Sequence, residues 1–183
     1  MFAFRPLFAL ALVAGVVANP LESRQTSNTN SAINSIVDAL DVKIHAIVPT
    51  IDTMQANGTA NDATIGAQIN QLVTAFNTTT SGLKSTAVSS GSNTTSPTND
   101  DISITFSDVM QLVATGLSGL STSTVPSFSS MISELDPAVA SAATALNTTL
   151  PGSLGFVHIM MLDAQQFLVK EGGWPQTLAA LGF

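Results

Sequence analysis

The chain has 183 residues, 45% of them hydrophobic and only 9% charged, with a formal net charge of −7. Twelve acidic groups against five basic ones leave little to neutralise a run of phosphates, which excludes a nucleic-acid partner. With no cysteine, thiol chemistry and disulfide staples are excluded too, so stability has to come from packing in a domain large enough to hold a core.

Residues 1–18 place Arg5 ahead of the apolar run "PLFALALVAGVVA", with small side chains at Val16 and Ala18. This is the layout of a secretory signal peptide cleaved after Ala18. Residues 19–30 are expected to be a disordered N-terminal segment or a short propeptide, "NPLESRQ" offering Arg24 as its end. No later stretch supplies the roughly 20 apolar residues of a membrane span, because His158 and Asp163 interrupt the most apolar one. The terminal "TLAALGF" is shorter than the roughly 10 to 20 residues of a glycolipid-anchor signal. The expectation is a secreted protein, extracellular or in a cell wall, without transmembrane insertion.

From Ser31 to Met54, apolar residues from Ile33 to Ile51 recur at three- and four-residue steps, the period of an amphipathic helix, with Pro49 expected to kink it. "NGTAND" breaks the pattern and Asn61 or Asp62 can cap a second helix through Ile65, Ile69, Leu72, Val73, Phe76 and Leu83. A Ser/Thr-rich loop at about 85–99 follows; its composition cannot bury a face. A third helix starts near Asp101 or Ser103 and carries Phe106, Val109, Met110, Val113, Leu117 and Leu120. Thr124 with Pro126 opens a fourth, lined by Phe128, Ile132, Leu135, Val139, Ala142 and Leu146, with Pro137 inside it. Pro151 or Ser153 opens a fifth that Gly172 and Gly173 end, and "WPQTLAALGF" forms a short final turn of helix. No alternating strand pattern persists between turn signals. The fold expected over residues 31–183 is therefore all-α, an antiparallel bundle of about five helices plus a short C-terminal helix.

Residues able to carry chemistry are few. "GLSGL", Gly116 to Leu120, lacks the spacing of a nucleophile elbow and falls inside a helical pattern. Ser153, His158 and Asp163 are the types of a hydrolytic triad, but five-residue steps on one helix turn His158 and Asp163 apart. Asp41 and His45, four residues apart, read as a solvated pair on a helix face, since neither histidine has a second histidine at ligand spacing. Asp100 and Asp101 read as helix-start capping groups, and Glu134 and Asp136 as a solvated face. Glycine loops that would cradle a phosphate are absent. The chain is expected to be no enzyme and to need no metal or cofactor. Sequons at Asn57, Asn77, Asn93 and Asn147 suggest a glycoprotein, with Asn57, Asn93 and Asn147 in predicted loops and Asn77 on a helix.

What stands out is an apolar surplus in "GFVHIMMLDAQQFLVKEGGW", Gly155 to Trp174. Turned through about 100° per residue, Phe156, Val157, Met160, Met161, Ala164, Phe167 and Leu168 share one arc of roughly 140°, wider than one packing stripe, while Ile159 and Leu162 fall outside it. Methionines at 54, 110, 131, 160 and 161 suit an irregular apolar ligand as well as they suit an ordinary core. The expected apolar ligand or surface set is Phe156, Met160, Met161, Phe167 and Leu168, with Trp174 at the end, and His158 and Gln165 at the solvent edge.

"TNSAINSIVDALDVKIHAIVPTID" and "DVMQLVATGLSGL", together with the leader, the Ser/Thr/Ala/Leu bias and the lack of cysteine, resemble the fungal hydrophobic surface binding protein family, related to cell-wall galactomannoproteins. The resemblance implies a secreted helical bundle that adsorbs to hydrophobic surfaces and helps recruit a polyester-degrading hydrolase. The galactomannoprotein relatives imply instead a carrier with an interior cavity for fatty acids or other lipids, and a structural cell-wall mannoprotein is the third alternative. No set of family residues transfers by motif.

Overall fold

The computed structural model describes residues 27–183, so the expected signal peptide and most of the 19–30 segment lie outside the described residues. Asn30, expected at the end of a disordered segment, is instead the first residue of a helix and is buried. Every regular element among the described residues is helical: α1 (Asn30–Ala56), α2 (Asp62–Ser85), α3 (Asn99–Leu117), α4 (Phe128–Thr149), α5 (Ser153–Met161), α6 (Gln165–Glu171) and α7 (Pro175–Leu181). The expected all-α bundle is the observed one, and the single fifth helix of the sequence reading is two, broken at residues 162–164.

Local signals explain most boundaries. Asn61 accepts from the amides of Ala63 and Thr64 while the Thr64 hydroxyl accepts from the Asn61 amide, a reciprocal cap at the start of α2. Thr98 and Asp101 make the same arrangement for α3, which starts at Asn99, two residues before the earliest expected start. The Thr98 amide, then the Thr98 and Ser96 hydroxyls, hold the Asp101 carboxyl below its ordinary pKa. Pro126 does not open α4. It sits in a turn, and the helix begins at Phe128.

Consecutive long helices run in opposite directions, but spatial neighbours do not simply alternate. Asn30 at the start of α1 donates to Asn99 at the start of α3, and Gln55 near the end of α1 donates to the Gly116 carbonyl near the end of α3, so these two lie side by side and parallel. In the same way the Asp62 carboxylate at the start of α2 accepts from the Ser127 amide and hydroxyl before α4, while Thr149 at the end of α4 donates to Leu83 at the end of α2. The long helices stand in the order α3, α1, α2, α4, and α5 against α3 and α7 against α4 complete the circuit.

The core runs the length of this ring. Ile33, Val37, Leu40, Ile44 and Ile51 from α1, Phe76 from α2, Phe106 and Val113 from α3, and Leu135 and Leu146 from α4 are all sealed from solvent. Small residues set the close approaches. Ala138, Ala142 and Ala145 bury the inner face of α4, and a Cβ at Gly116 would run into Val48 Cγ1 across the α1–α3 seam. The Ser/Thr-rich loop is pinned despite its composition. Buried Asn30 donates to the Pro97 carbonyl at 2.9 Å and accepts from the Ser89 hydroxyl at 2.6 Å, and the Ser89 amide donates to the Thr149 carbonyl.

Candidate apolar surface site

α5 has nine residues, "SLGFVHIMM", and only Ser153, Val157 and Met161 are buried, a narrow stripe at four-residue steps lying chiefly on α3. The remaining circumference is still apolar. Ile159 is 63% exposed, Leu162 53% and Met160 39%, and Phe156 is half-buried without joining the core. The Gln111 side chain of α3 donates to the Met160 carbonyl at 2.7 Å, fixing the end of the helix against its neighbour.

The turn at 162–164 buries Ala164, and α6 then buries Leu168 while Val169 stands 57% exposed. Phe167 is half-buried against the core. Gly172 and Gly173, at φ of 70° and 84°, reverse the chain through a conformation that favours glycine, and Trp174 drops into the core with 1% of its surface exposed. Its indole N–H donates to Glu171 Oε2 at 2.9 Å. Burial pushes the Glu171 carboxyl up to about 7 against the lowering effect of that bond, and its Oε1 takes no hydrogen bond.

The expected ligand set therefore divides by position. Met161, Leu168 and Trp174 are core; Phe156 and Phe167 are half-buried; Met160 is exposed. Ile159, Leu162 and Val169, which the arc excluded or passed over, form the more open part of the face. One signal could have found the first two: large apolar residues off an arc already wide enough for packing have no core to serve. His158, expected at the solvent edge, is half-buried. Its Nδ1 lies 2.8 Å from the Leu181 carbonyl, and its ring stacks on Phe183 at 4.3 Å between centroids, adding a partly exposed aromatic beside α5.

The other expectations fall out as follows. None of the hydrogen bonds among the described residues joins Ser153, His158 and Asp163; Ser153 Oγ is buried and unpartnered, and Asp163 lies in the exposed turn after α5. Asp136 is not on a solvated face. It is 2% exposed, and its carboxylate accepts from the amides of Gln176 at 3.0 Å and Thr177 at 2.7 Å, capping α7 from a different helix. The sequon asparagines are all exposed, but Asn147 belongs to the last turn of α4 and not to a loop. None of the four lies on α5, α6 or α7.

Two shallow grooves add apolar surface elsewhere. One of about 630 Å³ lies between α2, α4 and α7 over Leu83, Ala140, Ala145 and Ala180; the other, about 430 Å³, lies between α1 and α2 over Ala46, Ile47 and Ala75 with Lys43 on its rim. No helix among the described residues is long and apolar enough to cross a membrane. No family model matches the sequence, and no match is found among curated proteins.

Proposed function

We propose that this chain is a secreted, non-enzymatic protein that adsorbs to uncharged hydrophobic surfaces through the outer face of α5 and α6, the behaviour implied by its resemblance to hydrophobic surface binding proteins. The observation that carries the reading is the exposure of Ile159, Met160, Leu162 and Val169 within eleven residues whose only ionised side chain is Asp163. Exposed apolar side chains of this kind leave water on contact with an apolar surface. At about 25 cal/mol per Å² of apolar area they supply several kcal/mol, enough for useful affinity when many molecules cover a surface. The acidity of the chain argues for an uncharged surface over an anionic bilayer, which would repel it. Glycans on the turn after α1, on α2, on the 85–99 loop and on α4 leave this face bare in the reading.

The test is adsorption to polystyrene beads of the wild type and of an Ile159→Gln, Leu162→Gln, Val169→Gln triple variant. The expected result is at least a tenfold loss of affinity with the melting temperature kept. Equal adsorption by the variant would contradict the reading. Stoichiometric lipid extracted from the native protein, together with weak adsorption, would favour a lipid carrier instead.

A further inference from the structure

We infer that Asp41, His45 and Asp108 form a binding site for a divalent transition metal of the zinc type at the seam between α1 and α3. Asp41 and His45 stand one helical turn apart on α1, and the parallel packing of α3 brings Asp108 to them, so that one ligand atom from each lies within 4.8 Å of the other two. His45 Nδ1 is 3.1 Å from the Asp41 backbone carbonyl, an oxygen that can only accept; this contact selects the ring form that carries its proton on Nδ1. A ring held by a carbonyl at one nitrogen is the usual support of a metal-bound imidazole.

In the neutral ring with that proton on Nδ1, Nε2 is free to ligate, and it lies 3.7 Å from Asp108 Oδ2. A metal ion can sit between these two atoms, since two bonds of about 2.0–2.1 Å span that separation at an angle wider than tetrahedral. Asp41 Oδ1 adds a second unfilled acceptor. It is occluded from solvent and takes no hydrogen bond, because the imidazole nitrogen 3.0 Å away is aligned with the carbonyl instead. Among the described residues the ion pairs of both aspartates involve His45 alone, while the nearby Lys43 lines the groove toward α2. One imidazole with two carboxylates selects zinc, copper or nickel over calcium and magnesium, which prefer an all-oxygen shell.

The experiment is calorimetric titration of the untagged full chain with zinc chloride. The expected result is saturable one-to-one binding that excess calcium does not displace, with a rise in melting temperature at saturation. His45→Ala and Asp108→Asn are each expected to weaken binding tenfold or more, and His158→Ala to leave it within twofold. Because His45 and Asp108 are exposed, both variants should keep the wild-type circular dichroism and melting curve without metal. Absence of saturable binding, or wild-type binding by both variants, would overturn the site.

Discussion

Glu171 and Asp136 show how much of the C-terminal structure depends on single carboxyl groups. Glu171 is neutral in the fold below about pH 7, whereas in the unfolded chain it ionises above its ordinary value of 4.5. The fold therefore holds an extra proton across that window. Its contribution to stability is fully present below pH 4.5 and is lost as pH rises toward 7. Thermal melts are expected to show a decline between pH 4.5 and 7 that Glu171→Gln flattens, by about 1–2 kcal/mol once screening of this partly exposed group is allowed for. Asp136→Ala removes the acceptor of two amides at the start of α7 and leaves that of Thr177 buried without a partner. Denaturant unfolding is expected to show a loss of about 1–3 kcal/mol. Asp136 was not readable as a buried cap because its partners lie 40 residues downstream, on an element whose position no local pattern sets.

Among the elements, α1 to α4 were legible because each carries an unbroken apolar stripe of nineteen residues or more, with caps such as Asn61 written in the side chains. The break between α5 and α6 was not. Leu162, Asp163 and Ala164 include neither glycine nor proline, so the chain carries no punctuation there and a 100° wheel runs straight through it. The buried positions Val157, Met161, Ala164 and Leu168 still keep steps of four, three and four across the break, so the wheel found the core stripe but drew its arc too wide, taking in exposed Met160 and half-buried Phe156 and Phe167 beside it. The contrast is testable within one turn: Met161→Ala should cost about 2–5 kcal/mol, as expected for a sealed core side chain, while Ile159→Gln should stay within about 0.5 kcal/mol. Between elements, Gly116→Ala places a methyl group against Val48 and should cost about 1–3 kcal/mol by forcing α1 and α3 apart, read from the shift in denaturation midpoint.

For the whole molecule, the core and the proposed adsorbing face make different demands on the same composition. Seven buried aliphatic residues of α1 and five buried alanines of α4 fill the ring without help from the outer side of α5 and the turn after it, which leaves Ile159, Met160 and Leu162 exposed. With few charges, the rest of the surface draws its polarity largely from Ser, Thr and Asn, and its other exposed large aliphatic side chains, Val42, Val88 and Ile104, are well separated along the chain. The central claim, that this face meets the hydrophobic surface with the fold intact, is tested most directly by oxidative footprinting. Met160 is exposed and its neighbour Met161 is sealed, so peroxide should convert Met160 rapidly and Met161 slowly in solution. On protein adsorbed to polystyrene, mass spectrometry is expected to find Met160 protected, Met161 still slow, and the half-buried Met54 and Met131 oxidised at their solution rates. Unchanged oxidation of Met160 on the surface, or oxidation of Met161 rising to match it, would contradict the account.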